Sequence, residues 1–305
     1  MGRSPAVSVV TPSYNRPARV VDAVKSVKAQ TYADIEHIVV DDCSEESVAD
    51  VLARSEVATD DIIIRRHAEN QGTMAARNTG IGAASGEYIA FLDDDDEWHP
   101  EKIKRQVERA RESGAAVIYT GVRQVADGET LSVEIPEVEG QITKDLLTGN
   151  PIKSTSTVMV RADIFDEVDG FDRRLTNLDD WEFYIRASTV AEFAGVHDAL
   201  VTRHHHDAQI SLDYEGARDV DVPLMKQKHG YLAETYGVKE PFYGVLEQAL
   251  GSKAITVGDY RAARKHYTTA LRLTHSKTSI IRLMALSGGK YTYSPAQRLH
   301  GLLTA

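Results

Sequence analysis

Residues 86–100 read GEYIAFLDDDDEWHP, in which a short apolar run leads into four consecutive aspartates. The run EYIAFL has the length and composition of a buried strand. The aspartates that follow it are Asp93, Asp94, Asp95 and Asp96. Because adjacent carboxylates repel one another, they indicate either a solvated loop of an acidic protein or a site for a cation.

Strands alternate with helices on both sides of this segment. Short apolar runs predict further strands at residues 7–11, 37–40, 62–64 and 115–119. Helical spacing or helix-start residues predict a helix from Pro17 and others at residues 47–53, 74–81 and 100–111. This alternation predicts βαβ units, and therefore an α/β fold with a mostly parallel sheet flanked by helices.

The pattern changes after residue 119. Residues 125–135, with Asp127-Gly128 in the middle, predict a β-hairpin, and further strands are expected at residues 156–160 and within 192–206. From about Asp213 onward the spacing of apolar residues is helical. We therefore expect two domains, an α/β domain at residues 1–212 and a helical C-terminal extension at residues 213–305.

Composition narrows the class of protein. Of 305 residues, 42% are hydrophobic, which suffices for a buried core, and no run of 18 apolar residues predicts a membrane-spanning helix. The N-terminal residues become polar too early for a signal peptide, and the single cysteine, Cys43, excludes an internal disulfide. These features predict a cytoplasmic protein.

The charge of the chain is acidic and unevenly distributed. The net charge of −11 argues against nucleic acid as a partner. From Leu250 to the end, however, nine basic residues stand against one acid, a net charge of +8 that leaves −19 for the rest. Such an acidic body is typical of proteins from salt-loving organisms and predicts a halophilic origin. In a halophilic protein a run of aspartates is less informative by itself, because acidic residues are common throughout the chain.

Polar residues follow three of the predicted strands. Tyr14 and Asn15 come after the first, Asp41 and Asp42 end the second, and the four aspartates end the fourth. Ligands of such sheets bind outside the carboxyl ends of the strands, so these residues predict a binding site. The alternative is that they are solvated loop ends, caps and turn formers.

The residue types at this edge suit a nucleotide diphosphate. Asp93 and Asp95 flank one position and could reach the same Mg²⁺ or Mn²⁺, which prefer carboxylate and phosphate oxygens. Tyr14 and Asp42 could hold a base and ribose by stacking and hydrogen bonding, and Arg77 could add positive charge near the phosphates. The chain has neither a P-loop nor a G-x-G-x-x-G motif, which disfavours those two nucleotide-binding classes.

Five segments together resemble the motifs of the family 2 glycosyltransferases, which have the GT-A fold. They are, in chain order, SVVTPSYNRP, IVVDDCS, NQGTMAARNTGI, GEYIAFLDDDDEWHP and LDDWEFYIRA. The resemblance covers about residues 6–210 and leaves the last 90 or so residues uncovered. It implies an inverting enzyme that transfers a sugar from a nucleotide-diphospho-sugar with the help of Mn²⁺ or Mg²⁺.

The resemblance also implies roles for individual residues. It places Tyr14, Asp42 and Arg77 in the nucleotide pocket and Asp94 near the ribose or sugar. Pro12 and Asn15 are further expected substrate-binding residues. The metal would be held by the D-x-D pair Asp93 and Asp95, with Asp95 the direct ligand, and by a histidine after the last strand, for which His206 has the best spacing. The family's E-D pair falls on Asp179, a substrate-binding position, and Asp180, the catalytic base. Here the first acid of that pair is Asp rather than Glu.

Several alternatives remain open from the sequence. Asp179 could simply cap a helix, and His204, His205 and His206 could be a polar strand end. The chain could instead be a sugar nucleotidyltransferase, although TPSYNRP lacks the glycines of that class, or a protein that binds a nucleotide-sugar without catalysis.

The basic C-terminal part suggests where the enzyme works. A positively charged helical tail could bring an acidic body to the cytoplasmic face of an anionic membrane. The acceptor would then be a glycan on a lipid carrier such as dolichol or polyprenyl phosphate, in cell-surface polysaccharide synthesis or protein N-glycosylation. The alternatives are that the tail packs on the body or mediates self-association.

Overall fold

A computed structural model of the chain describes residues 7–55, 57–204 and 213–287. Within these, the chain divides into two compact units. The first comprises residues 7–142, 151–173 and 180–204, and the second comprises residues 143–150, 174–179 and 213–287. The helical unit therefore takes two short segments from the region before residue 213 in addition to the C-terminal part.

One sheet, in the first unit, contains the strands of the described chain. They are β1 (Val7–Ser13), β2 (Ile35–Asp41), β3 (Ile62–Arg66), β4 (Tyr88–Phe91), β5 (Asp96–Trp98), β6 (Val117–Ala126), β7 (Glu129–Glu134), β8 (Val158–Arg161) and β9 (Phe193–His204). The α-helices are α1 (Pro17–Lys28), α2 (Val48–Arg54), α3 (Thr73–Ala83), α4 (Lys102–Ser113), α5 (Thr143–Thr148), α6 (Ile164–Val168), α7 (Asp179–Ser188), α8 (Tyr214–Gly216), α9 (Val222–Thr235), α10 (Lys239–Thr256), α11 (Tyr260–Thr274) and α12 (Lys277–Ala285).

The strand order is β3-β2-β1-β4-β8-β6-β9-β5, with β7 paired to β6. The four strands from β3 to β4 are parallel, as expected from their βαβ connections. Beyond β4 the sheet is mixed, because β8, β5 and β7 run antiparallel to their neighbours while β6 and β9 are parallel. The α/β prediction is confirmed, with one continuous run of parallel strands in the order β3-β2-β1-β4 and a further parallel pair, β6 and β9, in the mixed part.

Local sequence explains most of the element boundaries. Pro17 occupies the first turn of α1, where no backbone N–H is needed. The Ser47 hydroxyl accepts a hydrogen bond from the Asp50 N–H and so caps α2. Asp127 and Gly128 have φ angles of 51° and 81°, the left-handed pair that a tight β6–β7 hairpin requires. The predicted hairpin is thus confirmed.

Strand β5 is absent from the sequence-based prediction. In the structure Asp96 pairs with Arg203 and Trp98 with Val201, so the end of the acidic run is drawn into the sheet. A three-residue strand has no detectable period of its own, and its partner β9 is about a hundred residues away in sequence. The pairing places Asp96 inside the protein.

An aromatic cluster lies directly under the end of β4. Phe91 packs edge-on against Phe171, with 5.2 Å between ring centroids, and Phe165 stacks on Phe183 at the same distance. Phe91 lies two residues before Asp93, the first of the four aspartates that we call the acidic segment, and Phe183 lies one turn into α7. Because interiors are densely packed, the cluster fixes β4 and α7 relative to each other.

A buried histidine makes the stability of the first unit dependent on pH. His37 lies in β2 with Nε2 3.0 Å from the Thr11 hydroxyl, and burial lowers its pKa to about 3. In the unfolded chain this side chain would take up a proton below about pH 6.5. Its contribution to stability is therefore complete above pH 6.5 and is lost progressively as the pH falls toward 3.

We expect the free energy of unfolding to fall by about 2 kcal/mol from this residue between pH 7 and pH 5. Urea titrations at the two pH values measure it, with His37→Gln as the variant that removes the titration. The control His197→Gln, at an exposed histidine, should keep the wild-type pH dependence. Equal pH dependence in wild type and His37→Gln would contradict the prediction.

Candidate active site

The carboxyl ends of β1, β2 and β4 meet at one edge of the sheet. Ser13 pairs with Asp41 across β1 and β2, and Val10 pairs with Phe91 across β1 and β4. The three polar clusters that follow these strands are therefore side by side, as expected for parallel strands.

Two arginines are ion-paired with the acidic segment. Arg77, from α3, donates from Nη2 to Asp93 Oδ1 at 2.6 Å, and its guanidinium lies 5.3 Å from the centroid of the Phe171 ring. Arg16 donates from Nη1 to Asp94 Oδ1 and Asp95 Oδ2, both at 2.9 Å. Opposite charges at this distance offset the repulsion within the run of aspartates. Arg16 had no role in the sequence-based site, although it lies two residues after Tyr14.

The four aspartates differ in their access to solvent. The Asp93 and Asp95 side chains are 28% and 14% exposed, whereas Asp94 is only 5% exposed. Asp96 is buried as well. A cation arriving from solvent can therefore reach Asp93 and Asp95, the two residues with the D-x-D spacing.

The buried aspartates are held by hydroxyl groups. The Ser13 hydroxyl donates to Asp94 Oδ2 at 2.7 Å, and the Ser154 hydroxyl donates to Asp96 Oδ2 at 3.1 Å. Burial raises the pKa of Asp94 to about 6, and that of Asp96 to about 7. Ser156 also belongs to this shell, because its hydroxyl accepts the Asp93 N–H at 3.0 Å. The sequence offered no signal for Ser154 or Ser156 beyond their place in a polar stretch.

The donor set fits a divalent cation that is completed by substrate oxygens. In the described ranges, no group of three or more His, Cys, Asp or Glu is arranged to hold a metal. Two partly exposed carboxylates are nevertheless what Mg²⁺ commonly takes from a protein when phosphates supply the rest. His206 lies outside the described residues. His204 ends β9 with Nε2 3.8 Å from Glu97 Oε2.

Asp42 organises the loop before α3. Its Oδ1 lies 2.7 Å from His67 Nδ1 and accepts the Gln71 N–H at 2.9 Å, while its Oδ2 accepts the Gly72 N–H at 2.7 Å. The residue is 2% exposed. A carboxylate has about four acceptor positions, so one on Oδ2 remains for a ligand. Asp42 therefore also positions the start of the helix that carries Arg77.

The other predicted nucleotide-binding residues have distinct environments. Tyr14 is 45% exposed at the end of β1, where its ring is accessible to a planar ligand. Asn15 has a φ of 52°, and its Oδ1 accepts the Glu45 N–H at 2.7 Å, which ties together the loops after β1 and β2. Pro12 is buried within β1 opposite Val40.

Asp180 lies in the first turn of α7. The Trp181 N–H donates to its Oδ1 at 2.6 Å. Burial raises the pKa of Asp180, and the nearby Asp93 carboxylate adds to the rise, whereas Arg77 and Arg203 oppose it. A carboxylate whose pKa is raised is a stronger base than a fully solvated one. Arg203, on β9, was missed by the sequence analysis because only the folding of the sheet brings it near Asp180. Asp179 is buried, 6% exposed, as the first residue of α7.

A buried lysine supports the acidic segment from below. Lys102 is fully buried, its Nζ lies 3.8 Å from the centroid of the Trp98 ring, and it donates to Gln106 Oε1 at 2.7 Å. The Trp98 indole N–H donates to the Ser156 carbonyl at 2.9 Å, and the Ser156 hydroxyl holds the backbone of Asp93. The four residues form a continuous path from the core to the acidic segment.

Lys102→Met is expected to weaken Mn²⁺-dependent nucleotide binding by roughly tenfold, because a supporting contact behind the metal ligands is lost. Burial lowers the pKa of Lys102, but removing the amine leaves the buried Gln106 Oε1 without this donor, so thermal melting is measured beside the affinity to separate loss of binding from loss of stability. Calorimetry gives the affinity, and tryptophan fluorescence in a Trp181→Phe background reports on Trp98. The exposed Lys104→Met on the same helix is the control. Unchanged nucleotide affinity and unchanged Trp98 emission would show that Lys102 does not position the metal ligands.

Residues 8–169 match the model of the family described as glycosyl transferase family 2. This is more than half of the chain, and the chain belongs to that family. The predicted family and the glycosyltransferase class are thereby confirmed.

Curated relatives are similar over part of their length. The putative teichuronic acid biosynthesis glycosyltransferase TuaG of Bacillus subtilis is 39% identical over 157 residues, which are 51% of this chain and 62% of that protein. The succinoglycan biosynthesis protein ExoO of Rhizobium meliloti is 38% identical over 130 residues, 42% of this chain and 36% of ExoO. The match therefore spans less than two thirds of the length of each of these relatives.

Solved structures confirm the GT-A-type fold. S. aureus TarS (residues 1–349) is 18% identical with a TM-score of 0.56, and the match covers 93% of this chain and 92% of that fragment. The mannosyltransferase PcManGT from Pyrobaculum calidifontis, solved in complex with GDP-Man and Mn²⁺, is 16% identical with a TM-score of 0.61, covering 98% and 88%. Within the described part of this chain, no helix is both long and apolar enough to cross a membrane.

Proposed function

We propose that this chain transfers a sugar from a nucleotide-diphospho-sugar to an acceptor hydroxyl, with inversion at the anomeric carbon. The observation that carries the proposal is the position of Arg77, which is ion-paired with Asp93 and electrostatically coupled to Asp180. The Arg77 guanidinium thereby lies near both the acidic segment and the candidate base. Positive charge at this place would stabilise the negative charge that develops on a diphosphate leaving group.

Each residue of the site is proposed to have a role that suits its chemistry. Tyr14 offers a stacking surface for the base, and Asp42 offers one remaining acceptor position. Arg77 and Arg16 supply positive charge where the diphosphate departs. Asp180 accepts the proton of the attacking hydroxyl on the face opposite the leaving group, and its raised pKa suits that task. Asp94 and Asp179 are proposed substrate contacts, as are Pro12 and Asn15, although Pro12 acts from a buried position.

A divalent cation, Mn²⁺ or Mg²⁺, would be held by Asp93 and Asp95, with His206 as a further candidate ligand. When bound, it neutralises charge on the leaving diphosphate. Asp93 and Asp95 are ion-paired with Arg77 and Arg16, so the two arginines would compete with a cation for the same carboxylates.

The decisive experiment is a screen of UDP-, GDP- and dTDP-sugars with each metal. Calorimetry measures binding, and release of the nucleoside diphosphate measures slow hydrolysis. We expect one donor to bind in a metal-dependent way. If none binds with either metal, the proposed function is wrong. PcManGT was solved with GDP-Man, and TarS also with UDP-GlcNAc, so both nucleotides belong in the screen.

We further propose that the acceptor is a glycan on a dolichol or polyprenyl phosphate carrier, used in surface polysaccharide synthesis or protein N-glycosylation. The names of TuaG and ExoO place those relatives in polysaccharide synthesis, which supports this class of pathway. The enzyme would then work in the cytoplasm, at the inner face of the membrane. The acidic composition suits a salt-loving host, and measuring activity against KCl concentration tests that origin.

A further inference from the structure

Helix α11 presents two chemically different faces. Its buried face contains Ala263, His266, Tyr267 and Ala270. The opposite face is exposed and carries Arg261, Arg264, Lys265 and Arg272. These cations are separated by three, four, seven and eleven residues, spacings that bring side chains to the same side of an α-helix. The solvent side of α11 is therefore a basic stripe.

This stripe has no compensating acid in its own part of the chain. Residues 260–287 contain neither Asp nor Glu, and Asp259 caps the start of α11 by accepting the Ala262 N–H. Within the described ranges, Arg261, Arg264, Lys265 and Arg272 form no ion pair, and neither does the exposed Lys277 at the start of α12. The stripe is therefore a local concentration of positive charge on a chain whose net charge is −11.

The neighbouring helix adds exposed apolar side chains. On α12, Ile281 is 55% exposed and Met284 is 69% exposed, and Ile280 lies beside them at 38%. Their spacings of one, three and four residues place them on one side of α12, which packs against α11. Large apolar residues grouped on an exposed helix indicate a contact with another surface.

We propose that these two helices form a docking surface for an anionic lipid bilayer. The surface consists of eight residues on α11 and α12, and we call it the α11–α12 surface: Arg261, Arg264, Lys265, Arg272, Lys277, Ile280, Ile281 and Met284. Unpaired cations complement acidic headgroups, and the isoleucine and methionine side chains can enter the boundary between headgroups and acyl chains.

The apolar residues favour a bilayer over a dissolved polyanion. A charged polysaccharide would be attracted to the basic stripe, but it has nothing to offer Ile281 and Met284. A bilayer satisfies both parts of the surface. The role that we assign to docking, which is to bring the enzyme to a lipid-linked acceptor, rests on the proposed function. Binding to the bilayer itself requires neither a donor nor turnover.

Flotation of the full-length chain with vesicles tests the proposal. We expect binding to phosphatidylcholine vesicles that contain phosphatidylglycerol, and little binding to phosphatidylcholine alone. The variant Arg261→Gln/Arg264→Gln/Lys265→Gln/Arg272→Gln should lose binding by on the order of several hundredfold at low salt, at about fivefold for each cation. Salt should weaken the wild-type interaction, because these charges are exposed.

A charge-matched variant, Lys25→Gln/Arg65→Gln/Lys104→Gln/Arg111→Gln, removes four exposed cations of the first unit and should float like wild type. Ile281→Ser/Met284→Ser tests the apolar part and should weaken binding without a change of charge. Equal flotation of wild type and the α11 variant would overturn the proposal. So would a loss caused by the α11 variant alone, with no effect of Ile281→Ser/Met284→Ser and full competition by soluble polygalacturonate, since that pattern identifies a polyanion site. Donor hydrolysis, assayed on the same proteins without vesicles, should be unchanged, so failure of docking and failure of the proposed function give different results.

Discussion

Asp180→Asn is expected to bind the nucleotide-sugar donor like wild type and to transfer the sugar about 10²–10⁴-fold more slowly, the usual contribution of a general base. The amide keeps the size of the side chain and cannot accept the proton of the acceptor hydroxyl. Calorimetry measures donor binding and a product assay measures transfer. Asp198→Asn, an exposed carboxyl on β9, is the control and should be fully active.

The same substitution should not lower stability at neutral pH. Because burial raises the folded-state pKa of Asp180 above its unfolded value, the folded protein favours the protonated form. Any stability from this group is present below the unfolded pKa and is lost as the pH rises through the folded pKa. Charging this carboxyl is therefore less favourable in the folded protein than in the unfolded chain, and Asp180→Asn should melt at the wild-type temperature or above. Normal transfer by the variant would exclude Asp180 as the base, and loss of donor binding would indicate a substrate contact instead.

Asp95→Ala is expected to weaken Mn²⁺-dependent donor binding by roughly 10–100-fold or more, the scale seen when groups that support a metal site are removed. The reason is that Asp95 is one of two carboxylates of the acidic segment that solvent reaches. Calorimetry with and without Mn²⁺ measures the change, and electron paramagnetic resonance measures free Mn²⁺ independently of the donor.

Glu97→Ala is the matched control for this site. Glu97 lies two residues further along, is exposed, and carries the same charge, so its loss tests for a general effect of negative charge on cation binding. We expect its Mn²⁺ affinity to equal that of wild type. If Asp95→Ala also binds Mn²⁺ normally, the metal lies elsewhere. If both variants lose affinity equally, the effect is electrostatic and not coordination.

Much of the first unit was predictable because its signals are local. The valine-rich runs of β1 and β2 are buried on both faces of a parallel sheet, so they read as continuous apolar strands. Pro17 and the Asp127-Gly128 pair act through their own φ angles, which no distant residue has to supply. The placement of Tyr14, Asp42 and the aspartates at one edge follows from parallel strand direction alone.

Other parts of the site could not be predicted, because they depend on residues that are distant in sequence. Arg16 reaches Asp94 and Asp95 from 78 and 79 residues away, and Ser154 reaches Asp96 from 58. No local sequence pattern around Arg16 or Ser154 indicates which aspartate it will contact. The helical unit likewise includes residues 143–150 and 174–179, which no local signal separates from the α/β part.

The sequence by itself determined the family, the α/β character and the edge at which the charged residues gather. It also showed that a basic segment ends an acidic chain. The resemblance implied different roles for the aspartates, and only the tertiary structure gave them different environments, because the environment of a carboxylate is set by burial and by the partners that folding supplies. Burial puts the pKa of Asp94 at about 6 and that of Asp96 at about 7, while Asp93 and Asp95 stay partly exposed in ion pairs with Arg77 and Arg16.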